Sequence, residues 1–322
     1  MTPTARPVAY LFPGQNSQQV GMGRDLYENH PLARELFDQA DAILGYPLSN
    51  LCFEGPKAEL DDTVNTQPAI YVTCIALWSV LETDGRLRPP SFLAGHSLGE
   101  LSALTAAGSL PFADGVRLVR ARGEAMKAAG HVNPGGMAAV LGAEDAVVAD
   151  ACREASVPGE PVQVANYNCP GQVVISGATP AVERAIAILQ ERGVKRVRRL
   201  DVSIAAHSTL MQPAVAEYGR AVNAASLSPP RFPLVANLTA RPVEDVETIR
   251  AELIGQLTGS VRWTGTIQYL SAQGVETFVE VGPGDVLTGL VKRIAPDSRR
   301  ANISSWAQIE ALPEPLRGSR DA

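Results

Sequence analysis

The sequence SFLAGHSLGELSALTAAG, residues 91–108, carries the clearest structural signal in the chain. Its apolar start, Ser91–Ala94, predicts a short buried strand, and the helix formers of Glu100–Ala107 predict a helix that ends at Gly108. Between them lies Gly95-His96-Ser97-Leu98-Gly99, a Gly-x-Ser-x-Gly pattern. When a strand precedes it and a helix follows, this pattern is typical of a nucleophile elbow, a sharp turn that projects the serine oxygen.

Ser97 is accordingly the candidate nucleophile of the chain. The glycines on either side let the strand and the helix approach each other closely. The main-chain N–H of Leu98 would point to the place where an oxyanion forms, and the start of a helix favours developing negative charge. The structural alternative is an ordinary strand–turn–helix joint without catalytic function.

A serine nucleophile needs a base, and the chain has four histidines to consider: His30, His96, His131 and His207. His30 precedes a proline at the predicted start of a helix, and His131 lies in a polar joint. The side chain of His96 diverges from that of the adjacent serine, which favours a packing role. By elimination, His207 is the candidate base, although a single histidine is more often structural.

The other parts of a serine site are marked weakly in the sequence. Asp201 and Glu280 are candidates for the acid of a triad, but both are interpreted more simply as solvated or structural carboxylates. The loop Phe12–Gln15 follows a predicted strand at Val8–Phe12. The main-chain N–H of Gln15 is therefore a candidate second donor to an oxyanion.

Most of the chain alternates predicted strands and helices, which indicates a mostly parallel sheet covered on both faces. One region has a different order of elements: strand (Met137–Leu141), helix (Ala143–Ala155), strand (Val162–Asn166), strand (Gln172–Ser176), helix (Pro180–Arg192) and strand (Val194–Val202). This β-α-β-β-α-β order is ferredoxin-like. We therefore predict an α/β protein with a large domain, residues 1–131 and 200–322, and an inserted small subdomain, residues 132–199.

Composition limits the classes of function. The 322 residues are 45% hydrophobic and 19% charged, as in a globular protein with a sizeable core. With 28 Lys and Arg against 34 Asp and Glu, the net charge of −6 disfavours general nucleic-acid binding. The four cysteines are widely spaced, which predicts neither a zinc site nor a disulfide framework. The apolar run Ala69–Val80, inside a predicted buried helix at Gln67–Leu81, is too short to span a bilayer, so we expect a cytoplasmic protein.

A series of short motifs, in order from about residue 8 to residue 293, resembles the malonyl-CoA:acyl carrier protein transacylases. These are the acyltransferases of fatty-acid and polyketide synthesis. The motifs are Leu11-Phe12-Pro13-Gly14-Gln15, Asn65-Thr66-Gln67-Pro68-Ala69, Gly95-His96-Ser97-Leu98-Gly99-Glu100, Arg122-Gly123, His207-Ser208 and Val281-Gly282-Pro283-Gly284. The resemblance implies an α/β-hydrolase-like body with a ferredoxin-like insert, in agreement with the predicted order of elements.

The resemblance also implies roles for individual residues. Ser97 would be the acylated nucleophile and His207 its base. The main-chain N–H groups of Gln15 and Leu98 would form the oxyanion hole. Gln256 matches a position whose main-chain carbonyl orients the histidine, which would account for the absence of a clear acidic partner.

Arg122 is the residue that distinguishes the substrate class. The resemblance implies that it binds the free carboxylate of a malonyl group, and a guanidinium can hold a carboxylate through two parallel hydrogen bonds. From the residues alone, Arg122 is interpreted as a solvated helix arginine like Arg117 and Arg120. Two positions depart from the family. Asn16 replaces a usual glycine, and the small Ala206 leaves room for an α-substituent on the acyl group.

The implied reaction transfers a malonyl or α-substituted malonyl group from a coenzyme A thioester to the phosphopantetheine thiol of an acyl carrier protein, through an acyl-serine. We expect no bound cofactor or metal, and no nucleic-acid or membrane partner. Two alternatives stay open: a hydrolase of acyl thioesters that uses the same Ser97 and His207, and a scaffold protein without turnover. A basic cluster is either a solvated strand edge or a contact for the carrier protein or coenzyme A phosphates: Lys195, Arg196, Arg198 and Arg199.

Overall fold

Two β-sheets organise the residues that the computed structural model describes, which are 7–202 and 204–312. The strands are β1 (Val8–Phe12), β2 (Phe92–Gly95), β3 (Gly135–Leu141), β4 (Val162–Cys169), β5 (Gln172–Ala178), β6 (Arg196–Arg199), β7 (Leu234–Val235), β8 (Pro242–Val243), β9 (Thr277–Val281) and β10 (Arg299–Ile303). The α-helices are α1 (Arg24–Asn29), α2 (Pro31–Leu44), α3 (Leu48–Glu54), α4 (Lys57–Leu60), α5 (Thr63–Thr83), α6 (Gly99–Ala106), α7 (Phe112–Val132), α8 (Asp145–Ala155), α9 (Thr179–Glu191), α10 (Gln212–Ala224), α11 (Val246–Gly255), α12 (Trp263–Ala272), α13 (Val286–Ile294) and α14 (Trp306–Glu310). A 3-10 turn covers Thr209–Met211.

The larger sheet has the order β10-β9-β1-β2-β7-β8 within the described residues. Its strands pair in parallel, except that β7 and β8 are antiparallel. Strand β1 lies inside the sheet and is buried along its whole length, because its alternate residues belong to two hydrophobic cores, one on each face. The predicted α/β fold with a mostly parallel sheet is confirmed.

The smaller sheet has the antiparallel order β4-β5-β3-β6 in the described part of the chain. The chain passes through it as β3-α8-β4-β5-α9-β6, and α8 and α9 share a hydrophobic core with the strands. This confirms the predicted ferredoxin-like order. The exact domain boundaries, residues 1–131 with 200–322 and residues 132–199, stay a prediction.

Helix α5 is longer than the predicted helix Gln67–Leu81. It begins four residues earlier, at Thr63, because the side chain of Asp62 accepts a hydrogen bond from the main-chain N–H of Val64. By length and composition, Thr63–Thr83 could cross a membrane, but 83% of its most apolar window is buried inside the protein. We therefore interpret α5 as a core helix.

Several elements differ from the sequence prediction. The predicted strand Val194–Val202 is shorter, since only Arg196–Arg199 pairs with β3. The sequence after His207 predicts one helix over Ser208–Ala225. The structure has a 3-10 turn followed by α10, because the hydroxyl of Ser208 accepts from the main-chain N–H of Leu210 and caps the turn. Strand β10, with the sequence RRANI, and the short helices α1, α3, α4 and α14 are not predicted, because their apolar patterns are too short or too interrupted.

Two glycines let the main chain of β2 and α6 pack tightly against β1. A Cβ atom on Gly99 would lie 2.0 Å from the carbonyl oxygen of Phe12, and one on Gly95 would lie 2.0 Å from the carbonyl carbon of Gly99. Neither neighbour is a flexible side chain that can move away. The close approach fixes the turn between β2 and α6 against the carboxyl end of β1.

We predict that Gly99→Ala destabilises the protein by at least about 3 kcal/mol, because the new methyl group collides with main chain that cannot yield. Gly289→Ala is the matched control, since Gly289 lies in α13 and a Cβ there meets no atom within 4 Å. That substitution should stabilise by about 0.5–1 kcal/mol. Urea denaturation of both variants measures the difference, and equal stabilities would contradict the proposed steric constraint.

Candidate active site

Ser97 lies in the turn between β2 and α6 and has a φ of 52°, a left-handed conformation that is unusual for a non-glycine residue. The side chain of Asn237 holds this turn. Its Oδ1 accepts from the main-chain N–H of Ser97 at 2.7 Å, and its Nδ2 donates to the carbonyl of Gly95 at 2.7 Å. The predicted nucleophile therefore has the strained, supported backbone of a nucleophile elbow.

The structure brings Ser97 and His207 together. The Oγ of Ser97 lies 2.7 Å from Nε2 of His207, and Nδ1 of His207 lies 2.8 Å from the main-chain oxygen of Gln256. A carbonyl can only accept, so Nδ1 carries the proton and Nε2 is free to accept from the serine hydroxyl. Asp201 and Glu280, the two candidates for the acid of a triad, contact neither Ser97 nor His207.

Gln256 is available as an acceptor because α11 ends earlier than predicted. The sequence predicts a helix over 246–258, but α11 ends at Gly255 and Gln256 is its C-terminal cap. The last carbonyls of a helix have no partner within the helix, and they form the negative end of its dipole. The carbonyl of Gln256 therefore accepts from His207 and also favours a positive charge on the imidazole.

His207 is buried and electrically neutral in the resting protein. Burial, followed by the positive charge of Arg122, lowers its pKa to about 3, and the hydrogen bond to Gln256 opposes both effects. At neutral pH the imidazole therefore has the free lone pair that a general base needs.

Arg122 is buried on α7 and points its guanidinium at the nucleophile. Its Nη2 donates to Oγ of Ser97 at 3.1 Å and to Oε1 of Gln256 at 2.8 Å, and its Nη1 donates to Oε1 of Gln67 at 2.9 Å. These three partners are uncharged, and no carboxylate of the described chain hydrogen-bonds to the guanidinium, although burial lowers the pKa of Arg122 and the charge of Glu100 raises it against this effect. By contrast, Arg117 is exposed and pairs with the half-buried Asp114 on the same helix.

A buried polar layer lies beneath the reacting groups. The Nε2 of Gln256 donates to the carboxyl of Glu100 and, at 3.2 Å, to the main-chain oxygen of Ser97. The other oxygen of Glu100 accepts from the main-chain N–H of Asn237 at 3.0 Å. Burial, together with Glu252, raises the pKa of Glu100, and burial raises the pKa of Glu252 to about 7. Both carboxyls therefore carry less negative charge than exposed ones would.

Gln15 and Leu98, whose main-chain N–H groups are the predicted oxyanion donors, line the same cavity as Ser97. The loop with Gln15 packs on the elbow, since a Cβ on Gly14 would lie 2.5 Å from the carbonyl oxygen of His96. Within residues 7–202 and 204–312, neither the main-chain N–H of Gln15 nor that of Leu98 donates to another protein atom. Asn16 has a φ of 82°, a left-handed conformation that favours glycine and that asparagine adopts more readily than most other residues.

A single cavity of about 880 Å³ contains most of the predicted site. It is lined by Gln15, Ser97, Leu98, Arg122, Ala206 and His207, among others. Gln256 is buried below its floor. Asp201 and His131 also line this cavity, but both are exposed and neither contacts the Ser97–His207 pair.

Three other candidates have structural roles. Glu280 is buried at the end of β9 and accepts from the main-chain N–H groups of Leu287 and Thr288, so it caps α13. His30 occupies the cap position of α2 and lies 3.5 Å from the carboxylate of Asp84. His96 packs against a tryptophan ring, and its Nε2 lies 2.9 Å from Oδ1 of Asn168 on β4.

Sequence reasoning missed Gln67, Glu100 and Asn237 as functional residues. Gln67 and Glu100 belong to motifs that carry the resemblance, so membership in these motifs marks both as candidate site residues. Asn237 had no such signal, because its contact with Ser97 spans 140 positions. Among the described residues, no group of three or more His, Cys, Asp or Glu side chains is placed to hold a metal ion.

A serine on an elbow, a neutral histidine held by a carbonyl and two free main-chain donors define the class of serine acyltransferases and hydrolases. The model of the acyl transferase domain family matches residues 9–309. The malonyl CoA-acyl carrier protein transacylase of Salmonella typhimurium is 44% identical over 303 residues, which are 94% of this chain and 97% of that protein.

Solved structures give the same result. The malonyl-CoA:acyl carrier protein transacylase of Xanthomonas oryzae has a TM-score of 0.92 and 42% identity, covering 98% of this chain and 100% of that one. A malonyl-transacylase in complex with its type II polyketide acyl-carrier protein has a TM-score of 0.90 and 39% identity, covering 95% and 98%. This chain therefore belongs to the acyl transferase family and, within it, to the malonyl-CoA:acyl carrier protein transacylases.

We predict that His207 makes the stability of the protein depend on pH. Its pKa is about 3 when folded and 6.5 when free, so the unfolded chain takes up the proton first and stability falls as the pH drops from 6.5 towards 3. Between pH 7 and pH 4.5, the wild type should lose about 2–3 kcal/mol more than His207→Gln, in which this titration is absent. Urea denaturation at both pH values measures the loss, and equal losses would argue against a buried neutral imidazole.

Proposed function

We propose that this enzyme moves a malonyl-type acyl group from coenzyme A to the phosphopantetheine thiol of an acyl carrier protein, through an ester on Ser97. The observation that carries the proposal is the buried guanidinium of Arg122, whose Nη2 lies 3.1 Å from Oγ of Ser97. An acyl group on that oxygen with a second carboxylate one methylene away would place the carboxylate against Arg122. A buried cation whose hydrogen-bond partners are all uncharged favours such a ligand.

The first half of the reaction loads the enzyme. His207 Nε2 takes the proton of Ser97 as Oγ attacks the thioester carbonyl, and a new O–C bond forms. The main-chain N–H groups of Gln15 and Leu98 stabilise the oxyanion. The C–S bond then breaks, and the proton passes from His207 to the sulfur, which leaves as the free thiol of coenzyme A. The acyl group stays on Ser97 with its carboxylate on Arg122.

The second half repeats these steps with a different thiol. The phosphopantetheine thiol of the carrier protein gives its proton to His207 and attacks the ester carbonyl, so that an S–C bond forms. The O–C bond to Ser97 breaks, and its oxygen recovers the proton from His207. Because the two thiols use the same site in turn, the kinetics should be ping-pong. No step in this scheme draws on a bound cofactor or metal.

We propose that Ala206 determines how large an α-substituent the acyl group can carry. Ala206 lines the cavity beside His207, and the neighbouring wall includes the apolar side chains of Met126 and Ile204. A methyl side chain leaves more room there than a larger residue. This supports acceptance of substituted malonyl groups in addition to malonyl itself.

The basic cluster around β6 stays open to both interpretations, a solvated strand edge or a contact for the carrier protein or coenzyme A phosphates. Arg196 and Arg198 are exposed on the edge strand of the smaller sheet, and Arg199 pairs with Glu183. A carrier protein is the partner we propose, without assigning it to this edge. We also propose a cytoplasmic location, which fits four cysteines that are all free and buried.

We predict that the wild type, mixed with malonyl-CoA and holo carrier protein, adds a malonyl group to the carrier. Ser97→Ala should form no acyl-enzyme, because the attacking oxygen is absent, while its circular dichroism stays native. Mass spectrometry of enzyme and carrier measures both products. Free malonate with an unmodified carrier would identify a hydrolase instead, and no acyl-enzyme in the wild type would identify a scaffold.

We predict that Arg122→Ala lowers the rate of malonyl transfer about 100-fold or more, because two charge-assisted hydrogen bonds to the acyl carboxylate are lost. Acetyl transfer, which has no such carboxylate, should fall far less. Arg117→Ala is the matched control, since Arg117 lies on the same helix but is exposed. Rates with malonyl-CoA and acetyl-CoA measure the effect, and an equal fall for both would remove Arg122 from carboxylate binding.

A further inference from the structure

The side chain of Gln163 connects the smaller sheet to the main chain around the catalytic base. Gln163 lies on β4, and its Nε2 donates to the main-chain oxygen of His207 at 3.1 Å and to that of Thr258 at 3.0 Å. Its Oε1 accepts from the main-chain N–H of Thr209 at 3.3 Å. We propose that Gln163 is a positioning residue for His207, which holds the base and its acceptor loop in register. This inference rests on the proposed function of the Ser97–His207 pair.

The first loop that Gln163 holds carries the base itself. His207 has a φ of 58°, a left-handed conformation that costs free energy in a residue with a side chain. Gln163 bonds to the main chain at residue 207 and again at Thr209, one on each side of Ser208. These bonds satisfy the main-chain oxygen of His207 and the main-chain N–H of Thr209. They therefore stabilise the conformation that aims the imidazole at Ser97.

The second loop carries the acceptor of the base. Thr258 is two residues after Gln256, whose carbonyl receives the Nδ1 proton of His207. The same loop is attached to β4 further on, where Ser260 donates to the carbonyl of Val164 at 2.6 Å and Val261 donates to that of Ala165 at 2.8 Å. Hydrogen bonds to strand β4 thus hold this loop in place.

One primary amide joins the two loops because it has two N–H donors and one oxygen acceptor. Gln163 uses this capacity on main-chain groups of both loops at once. If the amide is removed, the distance between the loops is no longer set by a common partner. The imidazole must span both Ser97 Oγ and the Gln256 carbonyl at hydrogen-bond distance, so small shifts weaken proton transfer.

The position of Gln163 separates its effect from substrate binding. Gln163 is not one of the described residues that line the 880 Å³ cavity, so its side chain does not contact the space for the acyl group. A loss of positioning should therefore slow the chemical step and leave the KM for malonyl-CoA nearly unchanged. The titratable groups that face His207 are Arg122 on α7 and His96 on the elbow, and neither contacts Gln163.

The test compares Gln163→Met with Ser260→Ala. Methionine has a similar length but makes none of the three hydrogen bonds. Ser260→Ala removes one bond between the same strand and the same loop, without any contact to residue 207. We expect Gln163→Met to lower the single-turnover rate of Ser97 acylation about 10-fold, as loss of about 1.4 kcal/mol would. The KM should stay within about 2-fold, and Ser260→Ala should acylate at close to the wild-type rate.

The pH profile supplies a readout that a general loss of stability would not give. When the loops separate, water reaches His207, so the acid limb of the acylation rate should move to higher pH in Gln163→Met. Wild-type acylation by malonyl-CoA is measured first, and its absence would contradict the proposed function and not the positioning role. Given an active wild type, a normal rate and pH profile in Gln163→Met would overturn the inference, as would an equal loss in Ser260→Ala.

A second variant keeps the test decisive if Gln163→Met does not fold. Gln163→Glu places a carboxylate against the carbonyls of His207 and Thr258, which it can approach favourably only as a protonated acid with one O–H donor. Its acylation rate, relative to the wild type, should be low at pH 8 and recover as the pH falls towards 5. A ratio that does not change with pH would overturn the inference.

Discussion

The hydrogen bond from Nδ1 of His207 to the main-chain carbonyl of Gln256 is the interaction on which the rest of the site depends. A carboxylate at this place would also fix the tautomer, but it would bring a negative charge close to Arg122. The guanidinium would then be neutralised before a substrate arrived. A carbonyl orients the imidazole without adding a full charge, so Arg122 stays available to an anion and the pKa of His207 stays low.

The ends of two helices supply the polarity that the missing carboxylate would otherwise give. Ser97 precedes α6, whose positive end favours a developing oxyanion, and the Gln256 carbonyl belongs to the negative end of α11. In the proposed reaction, negative charge develops beside the first helix end and positive charge beside the second. These dipoles are fixed by the fold, so they need no rearrangement when the charges separate. The raised pKa of Glu100 fits this arrangement, because burial disfavours a full negative charge on this carboxyl below the site.

Sequence patterns predicted the parts of this protein that depend on neighbours in the chain. Strand β1 has the predicted bounds, because an uninterrupted apolar run marks it. Helix α2 is likewise marked by its own sequence, because Pro31 stands at its start and Gly45 at its end. Arg122 could not be distinguished from Arg117 by its own sequence, because its burial depends on α5 and α10, which pack on α7. Asn237 and Gln163 could not be found for the same reason, since each contacts the site across a long separation in the chain.

Strand β4 of the smaller sheet contacts both halves of the proposed site. Asn168 on β4 bonds to His96, next to the nucleophile, and Gln163 on the same strand bonds to the loops of the base and of its acceptor. The nucleophile itself is carried by β2 of the larger sheet. The separation of Ser97 and His207 is therefore set by the fit between the two sheets and not by either sheet alone. An insertion that folds as a compact unit can in this way fix a distance of 2.7 Å between residues that lie 110 positions apart.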